Sequence, residues 1–379
     1  MRQADLLSDE RAAVRQADPT AEGARVMSVC NACRYCEQYC PVFQAMERRL
    51  KFASADLNYL ANLCHNCGEC LYACQYAPPH EFAINVPQTL ARIRVRSYEQ
   101  YAWPAALAAA FRRQGVLAAL LLATVLTGAM LAGALIARDT PLADRAANAD
   151  FYAVVPHATM VALFGAVGVF VIVALWIGAM RCARDFASIA DRETPTPGRG
   201  RLRALRDALT LRHLHPGESC TSAPDERTPW RRVFHHFTLY GFALCFAATC
   251  VAAVYHALGN EAPYSLSSAP VLLGTVGGLG LLVGPAGLLL QRRTRDPELS
   301  DASQERLDRA FIVLLLLTSA TGLLLLALRG HALMGVLLLV HLGVVLALLV
   351  TLPYGKFVHG LYRVAALLLY RREERAPAP

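Results

Sequence analysis

Two equal runs of cysteine constrain this chain more tightly than anything else in it. Residues 30–41 read Cys30-Asn31-Ala32-Cys33-Arg34-Tyr35-Cys36-Glu37-Gln38-Tyr39-Cys40-Pro41, and residues 64–74 read Cys64-His65-Asn66-Cys67-Gly68-Glu69-Cys70-Leu71-Tyr72-Ala73-Cys74. Each is C-x2-C-x2-C-x3-C, so all eight cysteines repeat one spacing. Three thiolates at i, i+3 and i+6 can wrap three irons of one [4Fe–4S] cubane. A structural zinc site uses two separated pairs and leaves a packed third cysteine without a role. Disulfides need an oxidising compartment, and residues 1–29 are polar and mixed in charge, with no apolar core of an export signal.

In two-cluster ferredoxins the fourth cysteine of each run ligates the other cluster. That rule assigns Cys30, Cys33, Cys36 and Cys74 to one [4Fe–4S] cluster, and Cys64, Cys67, Cys70 and Cys40 to the second. Between the runs, Val42, Phe43, Met46, Leu50 and Phe52, then Leu57, Leu60 and Leu63, recur at helical spacing, and Asp56 can cap a short helix. No alternating strand pattern is present. The region resembles the α-helical ferredoxins of succinate dehydrogenase and heterodisulfide reductase iron–sulfur subunits, rather than the small β-hairpin bacterial ferredoxin. One departure is visible: Pro41 follows Cys40, whereas Gln75 follows Cys74, so the second turn is expected to differ in shape.

The 379 residues are 55% hydrophobic and 17% charged, a balance that points to a membrane. Six apolar stretches, 116–136, 155–180, 233–258, 271–290, 310–328 and 332–352, are each close to the roughly 20 residues needed to cross a bilayer. The expected fold is all-α: a two-cluster ferredoxin domain and then a six-helix transmembrane bundle. The expected divisions are a leader at 1–29, the ferredoxin domain at 30–100, an interfacial connector at 101–115, the membrane domain at 116–360 with a loop at 181–232, and a tail at 361–379. Arg92, Arg94, Arg96, Arg112 and Arg113, with Tyr101 and Trp103 among them, suggest a helix lying along the membrane surface. The loop after the second span carries eleven arginines from Arg181 to Arg232, and the loop after the third carries no Lys or Arg. The loop after the fourth holds Arg292, Arg293, Arg295, Arg306 and Arg309, and the end of the chain is again basic. This alternation predicts a multi-pass protein of the cytoplasmic (inner) membrane with both termini and the cysteine region in the cytoplasm. It also accounts for the formal charge of +8 without nucleic acid as a partner.

The 181–232 loop has a linker-like Thr194-Pro195-Thr196-Pro197-Gly198, and its Leu202, Leu205, Leu209 and Leu211 suggest a surface helix. Cys182, Cys220, Cys245 and Cys250 read as ordinary packing or loop thiols. Gly274, Gly277, Gly278 and Gly280 lie within a span and read as close helix packing rather than a dinucleotide loop.

Seven histidines lie in or beside the spans: His157, His235, His236, His256, His331, His341 and His359. Histidine is a common axial haem ligand, and ionisable residues in spans are functional hypotheses by default. His341 and His359 are 18 residues apart, and His256 lies 20 or 21 from His236 or His235. These separations correspond to about 27 and about 30 Å along a helix. The two ladders run in opposite directions. His256 with His341 is expected to hold an outer b-type haem, and His235 or His236 with His359 an inner one. Helical phase favours His235, and His331 is an alternative outer ligand. The loner His157 reads as a packing residue, and His65 as a residue that tunes or shields a cluster.

The paired cysteine runs, His235-His236-Phe237-Thr238-Leu239-Tyr240-Gly241-Phe242, Leu272-Leu273-Gly274-Thr275 with Gly284-Pro285-Ala286-Gly287, and Leu352-Pro353-Tyr354-Gly355-Lys356-Phe357-Val358-His359-Gly360 resemble the citrate/tricarballylate-utilisation protein B family over nearly the whole chain. That resemblance implies a membrane electron-transfer partner of an FAD-dependent tricarballylate dehydrogenase. Such a partner reoxidises the reduced flavin and passes electrons through two [4Fe–4S] clusters and one or two b-type haems to membrane quinone. The residues agree with this, because no nucleotide-binding fingerprint or catalytic triad is recognisable and hydride chemistry must occur in another protein. The competing reading is an iron–sulfur redox sensor or docking subunit without turnover, which has no use for histidines at two membrane depths.

Overall fold

The computed structural model describes residues 18–112, 115–136, 142, 150–189, 198–214, 229–260 and 262–374. Among these residues every regular element is helical. The 194–197 linker, Cys220, His215 and the leader before residue 18 lie outside the described residues.

The cysteine region is built on five helices. Helix α1 (Pro19–Cys33) starts with Asp18, whose carboxylate accepts the Thr20 N–H, and Pro19 fills the first turn. It stops because Arg34 turns left-handed at φ 55°. Helix α2 (Pro41–Met46) begins directly after Cys40, with Pro41 at its first position. Helix α3 (Ser54–Leu63) is preceded by Ala53, which has no capping side chain. Asp56 instead reaches back to the Ala53 N–H at 3.0 Å while accepting Arg49 Nε at 2.7 Å. Helix α4 (Glu69–Tyr72) follows Gly68, at φ 97°. Helix α5 (Val86–Tyr101) is capped by Asn85, which accepts the Gln88 N–H at 3.0 Å.

Helix α5 is not a membrane-surface helix. Arg94 is 3% exposed and donates to Ala61 O at 2.7 Å, and Tyr101 is 1% exposed with its hydroxyl on Asp185. Within the arginine–aromatic pattern, Arg94 and Tyr101 thus serve buried contacts between helices, whereas Arg96 is exposed and the side chains of Arg112 and Arg113 lie outside the described residues. Helix α6 (Ala105–Arg112) then leads to the first span.

Six helices are long and apolar enough to cross a membrane: α7 (Val116–Ile136), α9 (His157–Ala187), α11 (Trp230–Ala257), α12 (Ala269–Thr294), α13 (Ala302–Ala327) and α14 (Met334–Thr351). The one-turn α8 (Phe151–Val154) precedes α9. Phe237, Phe246 and Val254 of α11 face outward, as side chains in lipid do. Helices α11 and α12 approach through glycine. A Cβ on Gly277 would lie 2.8 Å from Cys245 N and 2.9 Å from Gly241 O, so the two backbones nearly touch.

Helix α10 (Gly198–Leu209) and the last helix, α15 (Val358–Glu373), return to the cysteine region. Tyr362, Ala366 and Leu367 of α15 share one buried core with Val26, Met27, Leu57, Leu60, Leu63, Leu90 and Ile93. Burial of such side chains is worth roughly 1.5–3 kcal/mol each, so α15 is held as firmly as the helices around the cysteines. Glu373 accepts from Arg49 at 2.5 Å and from the Tyr59 hydroxyl at 3.0 Å. Asp207 of α10 accepts from Arg371 Nε at 3.0 Å. Leu202, Leu205 and Leu209 remain exposed, which makes α10 the surface helix that its leucine spacing suggests.

The short turn Pro297–Leu299 between α12 and α13 anchors the cysteine region to the bundle. Asn66 Nδ2 donates to Leu299 O at 3.0 Å, the Tyr72 hydroxyl to Asp296 at 2.9 Å, and Asn85 Nδ2 to Glu298 O at 2.9 Å. A Cβ on Gly68 would meet Leu299 Cδ2 at 2.8 Å, so glycine is needed there for space as well as for φ.

Candidate functional site

The local folding of each cysteine run follows from its capping residues. Cys30 and Cys33 end α1, and the left-handed Arg34 turns the chain so that Cys36 follows in a tight turn. Cys40 is the residue before α2, where backbone N–H groups of Val42 and Phe43 face its sulfur. Cys64 closes α3 and accepts the Asn66 N–H on its sulfur at 3.3 Å. Asn66 at φ 55° and Gly68 at φ 97° bend the chain around Cys67 into α4, which carries Cys70. The two fourth cysteines differ: a proline-led helix follows Cys40, whereas turns and no helix follow Cys74 until Val86.

The eight thiols separate into two sets. Cys30 interacts with Cys74, Cys36 and Cys33, and burial followed by these neighbours pushes it up to about 12. Cys40 interacts with Cys67 and Cys64, and Cys70 with Cys67, Cys64 and Cys40; burial is the first cause of the upward shift in both. The sets adjoin, since Cys70 also feels Cys36. Thus each fourth cysteine lies with the three thiols of the other run. Thiols raised this far are unfavourable as free thiolates, and a bound metal group that takes the thiolate form offsets that cost.

Among the described residues no group of three His, Cys, Asp or Glu converges as a single metal ion requires. Thiolates on one zinc would stand about 3.8 Å apart, given a Zn–S distance of about 2.3 Å. A four-iron cubane spreads its ligands more widely, so the donor chemistry here fits the larger group. A cavity beside the first set is lined by Cys30, Cys33, Cys36, Cys70 and Cys74 together with Tyr35 and Tyr76, and Tyr35 is 65% exposed. The second set lies deeper, with Cys64 buried.

His65 is buried beside the second set, its ring 6.1 Å from that of His213. Burial, with Arg363 next in order, holds its imidazole well below the ordinary range, so it stays neutral. His80 packs with Tyr76 and Phe82 on the far side.

The membrane histidines divide unevenly. The rings of His235 and His359 face each other at 5.9 Å and 67°. His359 Nδ1 donates to Lys356 O at 2.5 Å, which leaves Nε2 available. His236 turns away and stacks on Tyr240 at 5.6 Å. His256 lies directly on His157, with rings 3.9 Å apart, and Tyr152 is within 5.3 Å. His341 is elsewhere: its Nδ1 is 2.9 Å from Thr321 Oγ1, and its ring lies where a side chain on Gly322 would go. His331 is exposed and accepts the Leu333 N–H. The structure therefore brings His235 to His359 and His256 to His157, and it does not bring His256 into ring contact with His341. His157, read from the sequence as a packing residue, packs on His256 and on Tyr152.

The family described as "Citrate utilization protein B" matches residues 111–379, and its "Citrate utilization protein B Fer4-like domain" matches residues 23–101, a stretch that holds all eight paired cysteines. The chain belongs to the citrate utilization protein B family. "Citrate utilization protein B" of Escherichia coli is 51% identical over 366 residues, which covers 94% of this chain and 93% of that protein. No solved structure matches the chain. Membership of the citrate utilization protein B family, with its Fer4-like domain and six membrane-length helices, is consistent with an iron–sulfur electron-transfer role in a membrane protein.

Proposed function

We propose that this citrate utilization protein B family member takes electrons from the reduced flavin of a partner FAD-dependent dehydrogenase, with tricarballylate dehydrogenase the foremost candidate, and delivers them to membrane quinone. The observation that carries this reading is the sorting of eight thiols into two sets of four directly above a bundle of six membrane-length helices. In the proposed holoprotein Cys30, Cys33, Cys36 and Cys74 hold one [4Fe–4S] cluster, and Cys64, Cys67, Cys70 and Cys40 hold the other. His235 and His359 hold a b-type haem. His256 and His341 remain the proposed ligands of an outer one. Clusters and haem supply one-electron carriage when bound.

The chain's own residues prepare that path. Tyr35 and the cavity at the first set give the partner access, while Leu57, Leu60 and Leu63 exclude water behind the second set. Lys356 O holds the Nδ1 side of the His359 ring, whose centre lies 5.9 Å from that of His235. The arginine alternation supports placing the cysteine region in the cytoplasm, at the inner membrane.

The test is purification of the chain from membranes in which it is co-expressed with an FAD-dependent tricarballylate dehydrogenase, followed by addition of tricarballylate. The expected result is about eight irons per chain, a haem spectrum reduced by substrate, and reoxidation by a short-chain quinone. A stable complex with loaded cofactors that substrate leaves oxidised would overturn electron transfer and favour a sensor.

A further inference from the structure

Three consecutive carbonyls in the second cysteine run accept hydrogen bonds from arginine. Arg94 Nη2 donates to Cys64 O at 2.8 Å, and Arg363 Nη2 donates to the same oxygen at 2.6 Å. Arg231 Nη2 donates to His65 O at 2.8 Å, and Arg295 donates to Asn66 O. The four come from α5, α15, the start of α11 and the residue after α12, so only the tertiary fold assembles them. Carbonyl oxygens carry no net charge, and burying cations against them is costly unless an anion shares the site. Asp308, a buried carboxylate on α13, is engaged by Arg292 and by Lys356 Nζ at 2.9 Å.

The first run is surrounded differently. Arg25 is the cation that acts on Cys30, and its guanidinium is paired with Glu22 at 2.7 Å. Arg34 bonds to Asn31 O at 3.1 Å but is exposed, where water screens it. Four thiolates outweigh the positive charge of an iron–sulfur core, so the group that either set holds is anionic and more so when reduced. Potentials of such centres follow net charge, hydrogen bonding and exposure.

We propose that Arg94, Arg363, Arg231 and Arg295 form a cationic collar that raises the reduction potential of the cluster held by Cys64, Cys67, Cys70 and Cys40 above that of the cluster held by Cys30, Cys33, Cys36 and Cys74. The inference rests on the two-cluster reading above. Burial of the second set works in the opposite direction, because a low dielectric disfavours added negative charge. The collar opposes this with the buried guanidinium of Arg94 and the half-buried one of Arg363, both on Cys64 O, where charge is screened less than in water, and Arg231 and Arg295 extend it. The consequence is direction: one electron lost at the set of Cys30, Cys33, Cys36 and Cys74 is gained at the set that includes the buried Cys64. No bond or proton changes in that step. The electron originates in the partner's dihydroflavin and leaves to quinone.

The experiment is a redox titration of the full-length protein in detergent, followed by electron paramagnetic resonance, with Cys33→Ser and Cys67→Ser assigning the two signals. In the wild type the 64/67/70/40 signal is expected at the higher potential. Arg363→Gln is expected to lower it by about tenfold in the one-electron equilibrium, 59 mV for n = 1, and to leave the other signal in place. Arg363→Lys keeps the charge and is expected to stay near the wild type. Unmoved potentials in Arg363→Gln would overturn the proposal. So would a fall in Arg363→Lys as large as in Arg363→Gln, since that assigns Arg363 to docking geometry alone. Should Arg363→Gln fail to load iron, the same pair of substitutions at the half-buried Arg231 decides, because both bonds to Cys64 O then remain. A wild type with about four irons and one signal would remove the two-cluster reading itself before any arginine is changed.

Discussion

The imidazole of His235, on the third span, faces that of His359, at the start of the last helix, at 5.9 Å between ring centres. In the proposed holoprotein these two imidazoles would hold the inner haem, which would supply one-electron carriage there. His235→Ala and His359→Ala are each expected to remove the inner haem from the reduced-minus-oxidised spectrum while iron content stays at the wild-type level. His236→Ala, which loses a stack on Tyr240 and a hydrogen bond to the Thr210 backbone, is expected to keep the spectrum. Equal loss in all three variants would contradict this assignment.

Crossed ligation separates the two fourth cysteines. Cys74→Ser is expected to disturb the cluster of Cys30, Cys33 and Cys36, and Cys40→Ser the cluster of Cys64, Cys67 and Cys70. Resonance spectra of the two variants check it. Should Cys40→Ser disturb the signal that Cys33→Ser disturbs, ligation is uncrossed.

Gly277 leaves no room for a side chain, since its Cβ would sit 2.8 Å from Cys245 N. Gly277→Ala must push α11 from α12, and overpacking of this kind costs about 1–3 kcal/mol. A lower melting temperature in detergent is the expected reading. Gly165→Ala, where a Cβ meets nothing within 4 Å, serves as the control and is expected to melt like the wild type.

Asp207 and Arg371 form an ion pair with side chains 3% and 9% exposed. Arg371 also pairs with Glu374 at 2.6 Å, so removing Asp207 costs less than the about 3–5 kcal/mol of a buried charge left alone, but it takes away the ion pair that joins α10 to α15. Asp207→Ala is therefore expected to loosen α10 from α15 and to speed proteolysis between residues 198 and 214. Cleavage at the wild-type rate would show that the pair does not hold α10.

Burial, opposed by Asp207 and reinforced by Arg371, lowers His213 to about 4. The unfolded chain takes up this proton near 6.5, but the folded chain does not until about 4. The depressed value therefore costs nothing above pH 6.5, and stability falls as pH drops from 6.5 toward 4. The whole loss is at most about 3.4 kcal/mol, the span from 6.5 to about 4 at 1.36 kcal/mol per pH unit. Melting curves at pH 7.5 and pH 5 should show a smaller acid loss in His213→Gln than in the wild type.

Cysteine spacing, helical periodicity and apolar run length were enough to mark the cysteine region, its helical character and six membrane-length helices. These are local properties: each depends on residues a few positions apart, and a helix or a span forms wherever they recur. The same locality explains what was misjudged. Arg94 and Tyr101 looked interfacial in one dimension, yet both are buried, because Cys64, Ala61 and Asp185 arrive from distant parts of the chain to receive them. The tail after residue 360 looked peripheral, yet Tyr362 and Leu367 complete the core around the cysteines. Depth along a helix could be counted from sequence, and it placed His235 and His359 at one level. Which helices are neighbours could not be counted. That depends on where glycines such as Gly241 and Gly277 let two backbones meet, and only the fold shows that His256 rests on His157. The arginine collar belongs to the same class: four cations from four elements become one feature only because the fold brings their carbonyl acceptors together at Cys64, His65 and Asn66.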